Sequence, residues 1–306
     1  MPEVPEAPDG PERRVSNRFG KVVVVGVGLI GGSFALALKA AAAVERVIGV
    51  GRRAGTLERA RSLGIIDAAG ALDAATLSDA DLVLVAVPVA QTRSVLESLA
   101  PLLGGSTIVT DAGSTKQDVV ASARAAMGAR IGQFVPGHPI AGTEYSGPEA
   151  AYAELYRARN VVLTPLPENP PAAVARVRHA WEACGAKVRE LAVAEHDEVF
   201  AAVSHLPHLL AYALVDHVAG RSGGEGLVSF AAGGFRDFTR IASSHPELWR
   251  DVCLANRSAL LRELAGYRKV LEQVREMLER GDGTALQTLF DKARMARNRW
   301  LERSGD

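Results

Sequence analysis

The sequence predicts an α/β chain in which a doubly wound parallel sheet is followed by an all-helical domain. Short apolar runs alternate with helical segments up to about residue 191, an order typical of parallel sheets with crossover helices. Beyond that point the strand signal disappears, and helical segments separated by Gly and Ser remain. We therefore expect a sheet domain at 19–191 and an all-helical domain at 192–306.

Seven short apolar runs predict the strands of the sheet. The first is a lysine followed by four valines at 21–25; it stops at Gly26 and is too short for a free-standing helix. Such a run is typical of a strand buried on both faces. The other six runs occupy residues 46–50, 81–87, 106–110, 133–135, 160–164 and 187–191.

Alanine-rich or amphipathic segments separate most of these runs and predict the helices. In the sheet domain they occupy residues 32–43, 56–63, 91–99, 116–127 and 172–183. In the second domain we expect helices at 193–220 and 225–232 and over most of 247–300. The sequence contains no internal repeat.

Composition excludes several classes of partner. The 306 residues include 35 basic and 35 acidic side chains, so the net charge is zero and nucleic acid is not an expected partner. Residues 1–18 carry four prolines and no apolar core, which indicates a disordered tail rather than a signal peptide or membrane span. Cys184 and Cys253 form neither a metal motif nor a disulfide framework, which favours a reducing cytoplasm.

A glycine-rich motif, Gly26-Val27-Gly28-Leu29-Ile30-Gly31, directly follows the first strand and opens a helix. In a dinucleotide-binding turn, one glycine makes the turn, the next lets the backbone approach the pyrophosphate, and the third lets the helix pack closely. The sequence therefore predicts a Rossmann-type domain; the alternative is a purely structural turn. The expected cofactor contacts are Gly26, Gly28, Leu29, Ile30 and Gly31, with Val87 and Pro88 after a later strand.

The residues after the second strand indicate which cofactor is bound. NAD-binding chains usually place an acidic residue there for the ribose hydroxyl. Here the position is Gly51, followed by Arg52 and Arg53. A guanidinium group binds a 2′-phosphate through paired hydrogen bonds, so we expect NADP, with NAD possible. The alternative is that the two arginines only form a solvated corner.

His138 is the candidate base. It lies between two prolines and two glycines just after a predicted strand, and Ser114 follows the preceding strand. Because ligands bind beyond the carboxyl ends of parallel strands, we expect both side chains to face one crevice. A hydroxyl beside an imidazole indicates either Ser–His nucleophilic catalysis or a serine that orients a histidine base. The dinucleotide motif favours the second interpretation.

Five strings, GVGLIGGS, DAGSTK, GHPIAGTEYSG, SHLPHLLAYAL and FRDFTRIASSHPELWRDVCLANR, occur in this order between about residues 20 and 300. In these strings the chain resembles the prephenate/arogenate (cyclohexadienyl) dehydrogenase family of tyrosine biosynthesis. The resemblance implies oxidative decarboxylation of prephenate to 4-hydroxyphenylpyruvate, of arogenate to tyrosine, or of both. It also implies a helical domain that forms a homodimer. Many members carry a C-terminal regulatory domain, which we do not expect here.

Position by position, the resemblance assigns His138 to the base that accepts the proton of the ring hydroxyl, and Ser114 to its support. It assigns Arg240 to the residue that holds a substrate carboxylate, a role that suits a permanent cation with paired donors. The structural alternative for Arg240 is an ion pair with Asp237 or Glu247.

Two further histidines, His205 and His208, are three residues apart near a predicted helix start and share a face. No third ligand accompanies them, so we expect them to line the substrate pocket and expect no metal. The resemblance places Trp249 near the substrate arginine, although a tryptophan at helical spacing can equally belong to the core. The remaining histidines are interpreted as structural or surface residues: His179, His196, His217 and His245.

Two other functions remain as alternatives. A hydroxyacid dehydrogenase with a lysine base would need that lysine beside the nicotinamide, and Lys187, Lys269 and Lys292 have poor contexts for it. A dinucleotide-sensing protein without chemistry would leave the segments around His138 and Arg240 unexplained. The sequence does not distinguish prephenate from arogenate.

Overall fold

The computed structural model describes residues 18–143 and 145–304. The tail predicted at 1–18 lies outside the described residues except for Arg18. Within them, an α/β part changes to an all-helical part between Glu190 and Val193, which confirms the predicted fold class.

The main sheet has six strands, and every pair of neighbours in it is parallel. The strands are β1 Phe19–Val25, β2 Val44–Val50, β3 Ala68–Gly70, β4 Leu82–Val85, β5 Ile108–Asp111 and β6 Phe134–Val135. Their order is β3-β2-β1-β4-β5-β6, so successive strands are added on one side of β1 up to β3 and on its other side from β4 onward, and the strand order reverses between β1 and β4. This is the doubly wound order, in which ligands bind beyond the strand ends at the reversal.

Helices cover both faces of this sheet: α1 Leu29–Ala40, α2 Ala54–Ser62, α3 Ala74–Leu77, α4 Val89–Leu99, α5 Gln117–Met127 and α6 Pro171–Ala183. Because side chains alternate along a strand, β1 contributes to two separate cores. Val22 and Val24 pack in the core that holds Trp181, whereas Val23 and Val25 pack in the other. The valine run is therefore buried on both sides, as predicted.

A second sheet corrects the predicted topology. It contains β7 Gly137–Pro139, β8 Asn160–Leu163 and β9 Lys187–Glu190, in that order. The runs at 160–164 and 187–191 form strands, but their assignment to the parallel sheet is wrong, because β8 pairs antiparallel with β7. Apolar periodicity predicts a strand without specifying its partner or direction. His138 consequently lies in β7, opposite Val162.

Several helix bounds also differ from the predictions. The helix predicted at 32–43 is α1, which begins at Leu29 and ends before Ala42, whose φ is +51°. The helix predicted at 225–232 is shorter in the structure: α9 ends at Val228, and the next helix begins only at Gly233.

The second part consists of helices within the described residues: α7 Val193–Phe200, α8 Leu206–Ala219, α9 Gly224–Val228, α10 Gly233–Thr239, α11 Pro246–Ala255, α12 Arg257–Glu279 and α13 Gly283–Ser304. One π-helical turn, Ala201–His205, joins α7 directly to α8. Such turns often occur at functional sites. Here the turn ends on His205.

Within the continuous helical segment Val193–Ala219, an 18-residue stretch has a mean hydropathy of 1.3, so the segment is long and apolar enough to cross a membrane by length and composition alone. It carries three buried polar side chains, His196, Asp197 and His205, each bonded to other residues of the protein. Such residues are costly in a bilayer unless they face a protein interior. We therefore interpret the segment as the central helix of the second part.

Candidate active site

The glycine loop between β1 and α1 combines tight packing with one open position. A Cβ on Gly31 would lie 2.2 Å from the Gly26 carbonyl oxygen, and Gly26 itself has φ of +98° and lies against the Ala86 backbone. A Cβ on Gly28 would meet nothing within 4 Å. Gly28 caps α1 without a side-chain hydrogen bond, so the helix N-terminus is open to an anion. The loop therefore fits a dinucleotide pyrophosphate.

The other predicted cofactor residues surround this loop. Leu29 is buried, and the Ile30 carbonyl accepts a 2.6 Å hydrogen bond from the Tyr156 hydroxyl, which ties the first turn of α1 to the second sheet region. The Val87 side chain lies against Gly26, and Pro88 caps α4.

The two arginines after β2 are exposed. In the described part of the chain, neither the Arg52 nor the Arg53 guanidinium group forms a hydrogen bond or ion pair. No acidic residue occupies the position of Gly51 at the end of β2. Both guanidinium groups can therefore receive an anion at the strand end.

A buried ion pair holds the segment that carries His138. Lys116 and Asp111 are almost fully buried, and the Lys116 Nζ lies 2.5 Å from Asp111 Oδ2. The ammonium also donates to the Gly137 carbonyl at 2.7 Å, and the Gly137 amide donates to Asp111 Oδ1 at 3.0 Å. Because the two charges compensate each other and are hydrogen-bonded, they can remain buried. Gly137, the residue before His138, is therefore held through both its own N–H and its own C=O.

His138 is the first member of a buried chain of three side chains. Its Nδ1 lies 2.8 Å from His196 Nε2, and His196 Nδ1 lies 2.8 Å from Asp197 Oδ1. The Asp197 carboxylate accepts from the amides of Lys116 and Gln117 at the start of α5, at 2.8 and 2.9 Å. The chain thus runs from a helix N-terminus to the candidate base.

Burial determines the charge state of this chain. Burial lowers the pKa of His138 well below its usual value of 6.5, and the neighbouring His196 and Lys116 act in the same direction. Burial also lowers the pKa of His196, although the bond to Asp197 opposes it. For Asp197, burial acts to raise the pKa, but the bonds from His196 and two amides hold it below its usual value. At neutral pH both imidazoles are therefore neutral and the carboxylate is charged.

Ser114 lies on the loop after β5 and is half-buried. Its hydroxyl makes no hydrogen bond to His138 or to any other described residue, and the direct partner of His138 is His196. The structure thus contains no hydrogen bond by which Ser114 orients His138, whose Nδ1 is engaged by His196. Sequence reasoning missed His196; the adjacent His-Asp pair was its only local signal.

The residues predicted to bind the substrate lie close to the bonded side chains of His138, His196 and Asp197. The rings of His208 and Trp249 stack with centroids 3.5 Å apart, and the ring of His205 lies 6.2 Å from Trp249. Burial lowers the pKa of His208, and the charge of Arg240 adds to that effect. Two segments of the helical part, 205–208 and 240–249, therefore come together here.

Arg240 is exposed, and no ion pair compensates its charge in residues 18–143 and 145–304. Asp237 instead pairs with Arg236. The structure therefore contains neither of the ion pairs considered for Arg240 with Asp237 and Glu247, and the guanidinium group can receive a carboxylate.

His205 links the two halves of the site. Asn256, which sequence reasoning also missed, places its Nδ2 3.1 Å from His205 Nδ1 and 2.7 Å from the Asp197 carbonyl. Burial lowers the pKa of His205 to about 4, so it is neutral at physiological pH. Its Nε2 forms no hydrogen bond within the described chain, although the Ser114 backbone lies close enough to influence its pKa.

The alternatives based on lysine or metal gain no support from this geometry. Lys187, Lys269 and Lys292 are exposed, and buried Lys116 is engaged by Asp111. Among the described residues, no group of three or more His, Cys, Asp or Glu side chains could hold a metal ion.

A dinucleotide-type glycine loop, a buried neutral histidine and a second, helical domain define a nicotinamide-dependent oxidoreductase of the Rossmann class. The comparisons with known proteins are specific. Residues 34–190 match the prephenate dehydrogenase nucleotide-binding domain, and residues 192–292 match the prephenate dehydrogenase dimerization domain. The chain belongs to the prephenate dehydrogenase family.

Curated relatives and solved structures agree with this assignment. Cyclohexadienyl dehydrogenase of Zymomonas mobilis is 36% identical, over 91% of this chain and 95% of that protein. Prephenate dehydrogenase of Bacillus subtilis is 37% identical, over 89% of this chain and 74% of that protein. The crystal structure of Aquifex aeolicus prephenate dehydrogenase with hydroxyphenyl propionate and NAD⁺ has a TM-score of 0.86 and 35% identity, over 92% of this chain and 98% of that one. Synechocystis arogenate dehydrogenase has a TM-score of 0.78 and 32% identity, over 92% and 99%.

Proposed function

We propose that the chain catalyses the oxidative decarboxylation of prephenate, arogenate or both, with a nicotinamide dinucleotide as hydride acceptor. When bound, the nicotinamide takes the hydride from the ring carbinol carbon, and carbon dioxide leaves as the ring becomes aromatic. The observation that carries this proposal is buried, neutral His138 near His205, whose ring contacts Trp249, the stacking partner of His208. Family membership supports the reaction class.

His138 is proposed as the general base. Its Nδ1 is engaged by His196, and no described residue bonds Nε2, so Nε2 is the nitrogen that can meet a substrate hydroxyl. Removing the hydroxyl proton increases electron density at the carbinol carbon and promotes hydride loss. The depressed pKa supports this role because the base must be unprotonated before the reaction starts.

Arg240 is proposed to hold a substrate carboxylate through two parallel hydrogen bonds. Its exposed, uncompensated guanidinium group beside His208 supports this role. The stacked rings of His208 and Trp249 are proposed to offer a flat face to the substrate ring, and the ring of buried His205 lies edge-on to Trp249. Ser114, whose hydroxyl is unengaged, is proposed to contact the substrate or nicotinamide next to His138.

NADP is proposed as the preferred cofactor. The free guanidinium groups of Arg52 and Arg53, and the glycine in place of an acidic residue at position 51, support this choice. The Aquifex aeolicus protein was crystallised with NAD⁺, so NAD remains the competing cofactor in the assay below.

A homodimer formed through the helical domain is proposed as the working form. The match to a dimerization domain supports it. The helical domain also exposes large apolar side chains, including Phe230 at 87%, Leu254 at 63%, Leu278 at 63% and Phe290 at 59%. A second copy of this chain would remove such groups from water. We place the enzyme in the cytoplasm, a reducing compartment that suits the two free cysteines.

A spectrophotometric assay tests the reaction and both preferences together. The protein is mixed with NADP or NAD and with prephenate or arogenate, and absorbance of the reduced cofactor is followed. We expect turnover with at least one substrate and a higher kcat/KM for NADP. Absence of turnover in all four combinations contradicts the proposed reaction, and a higher kcat/KM for NAD contradicts the cofactor choice.

A further inference from the structure

His196 connects the candidate base to a fixed carboxylate, and the proposed reaction does not yet use it. Its ring is completely buried and contacts His138 on one nitrogen and Asp197 on the other, both at 2.8 Å. Phe200 packs against both imidazoles, with ring centroids 4.9 Å from His138 and 4.5 Å from His196. The two rings are therefore held in a single relative orientation.

The carboxylate determines where the protons of this chain reside. Asp197 accepts two amide hydrogen bonds at the N-terminus of α5, which favours its charged form. A carboxylate can only accept, so His196 Nδ1 must carry the proton. Neutral His196 then has an unprotonated Nε2, which must accept from His138 Nδ1–H. The unprotonated nitrogen of His138 is consequently Nε2, the one left free for substrate.

We propose that His196 is a positioning residue that fixes His138 in the Nδ1–H tautomer and accepts the Nδ1 proton when Nε2 takes the proton of the substrate. This inference rests on the function proposed above. The substrate O–H bond breaks and His138 Nε2–H forms, while His138 Nδ1–H breaks and His196 Nε2–H forms. When the ring becomes aromatic its oxygen takes a proton back from His138 Nε2, the proton on His196 Nε2 returns to His138 Nδ1, and both imidazoles regain their starting state; the electron pair of the carbinol C–H bond leaves with the hydride.

The surrounding charges favour moving the positive charge to His196. An imidazolium at His138 would be buried near the Lys116 ammonium, whose partner Asp111 already serves the backbone of Gly137. An imidazolium at His196 would instead be hydrogen-bonded directly to the Asp197 carboxylate. A buried charge is less costly when it is paired and hydrogen-bonded, so the transfer reduces the cost of protonating the base.

The tautomer is tested first, without substrate, by nitrogen-15 NMR of histidine-labelled full-length protein at pH 7.5. The signals of His138 are identified by their loss in His138→Asn. We expect the Nδ1–H tautomer in the wild type and in Phe200→Leu, a control that changes ring packing but removes no hydrogen bond. In His196→Phe we expect a shift toward Nε2–H. An Nε2–H tautomer in the wild type, or no shift in His196→Phe, overturns the positioning role.

Kinetics of His196→Phe and His196→Gln test the proton transfer. A glutamine oxygen can accept from His138 and its amide can donate to Asp197, but it cannot take a proton. Loss of such an orienting partner typically costs about 10- to 100-fold in activity, so we expect that loss in kcat for His196→Phe, with KM changed less than about twofold. For His196→Gln we expect the wild-type tautomer with kcat lowered about tenfold.

A wild-type kcat in His196→Gln overturns the proton-accepting role. If instead kcat falls and KM rises by the same factor in both variants, His196 is merely structural, and that result also overturns the role. Cofactor affinity measured by fluorescence verifies that each variant folds. If the wild type turns over neither prephenate nor arogenate, the proposed function fails, whereas the NMR result still decides the positioning role.

Discussion

At the scale of single residues, the candidate site centres on His138, which remains unprotonated at acidic pH values at which an exposed histidine is charged. Burial is the main cause of its low pKa, and the facing groups His196, His205 and Lys116 add to it. The carboxylates of Asp197 and Asp111 lie one contact further from His138, where they are bonded to His196 and to Lys116, respectively. The same burial that makes the imidazole a ready base also makes a lasting positive charge on it unfavourable.

The pH dependence of kcat/KM should show this depressed pKa. Because the base acts when unprotonated, lowering its pKa extends the active range toward acid. We expect kcat/KM, measured with saturating cofactor, to remain near its maximum at pH 6.5 and to fall only as the pH decreases through the lower pKa of His138. An acid limb centred above pH 6.5 contradicts the assignment.

Arg240→Gln should raise KM for the substrate with little change in kcat, because a carboxylate held equally in ground and transition states contributes uniform binding. A hydrogen bond to a charged group contributes about 1.5–3 kcal/mol, so KM should rise about 10- to 100-fold. Arg236→Gln is the matched control, since that exposed arginine pairs with Asp237 on the preceding helix. Equal KM values for the two variants would contradict the role of Arg240.

At the scale of secondary-structure elements, two helix N-termini organise the site. The start of α1 is open at Gly28 and suits a phosphate, whereas the start of α5 is occupied by the Asp197 carboxylate. Both use the partial positive charge of unpaired amides. One element is thus available for the cofactor, and the other anchors the histidine chain.

The substitution Gly28→Ala tests whether the start of α1 binds the cofactor. A Cβ at Gly28 meets no protein atom within 4 Å, so the protein should still fold, with only the small loss of stability expected for alanine at a helix N-cap, yet the methyl group would stand where the pyrophosphate approaches. We expect the Kd for NADP, measured by fluorescence titration, to rise at least about tenfold, the equivalent of one lost contact of 1.4 kcal/mol. Gly55→Ala, also in open space, is the control. Wild-type affinity in Gly28→Ala would contradict the phosphate site.

At the scale of the whole molecule, the site lies where the two domains meet. His138 and Ser114 belong to the sheet domain, whereas His196, Asp197 and Asn256 belong to the helical domain. The helical domain therefore supplies both the side chain bonded to His138 and the residues proposed to contact the substrate. Its exposed apolar side chains are the ones that the proposed homodimer would cover.

Phe290→Glu should weaken the dimer, because it places a charge among apolar groups on the exposed side of α13. We expect light scattering at micromolar concentration to give the mass of a dimer for the wild type and of a monomer for the variant. Leu63→Glu, at a similarly exposed leucine of the sheet domain, should remain dimeric. A monomeric wild type would contradict the proposed assembly.

The fold class was predictable because its signals are local. The alternation of apolar runs with helices and the glycine motif after β1 each lie within a few residues. The second sheet was not predictable, since the antiparallel pairing of β7 with β8 depends on a long intervening segment. His196 was missed for a similar reason: its contact with His138 joins residues 58 apart, and the amides that fix Asp197 are 80 and 81 residues away.

The turnover of His138→Asn tests the role of His138 as general base most directly. General-base catalysis typically contributes about 10²- to 10⁴-fold, so we expect kcat to fall within that range. The Kd for NADP should not change, and His217→Asn, an exposed histidine in the last turn of α8, should retain the wild-type kcat. A His138→Asn enzyme with near-normal kcat would contradict the account.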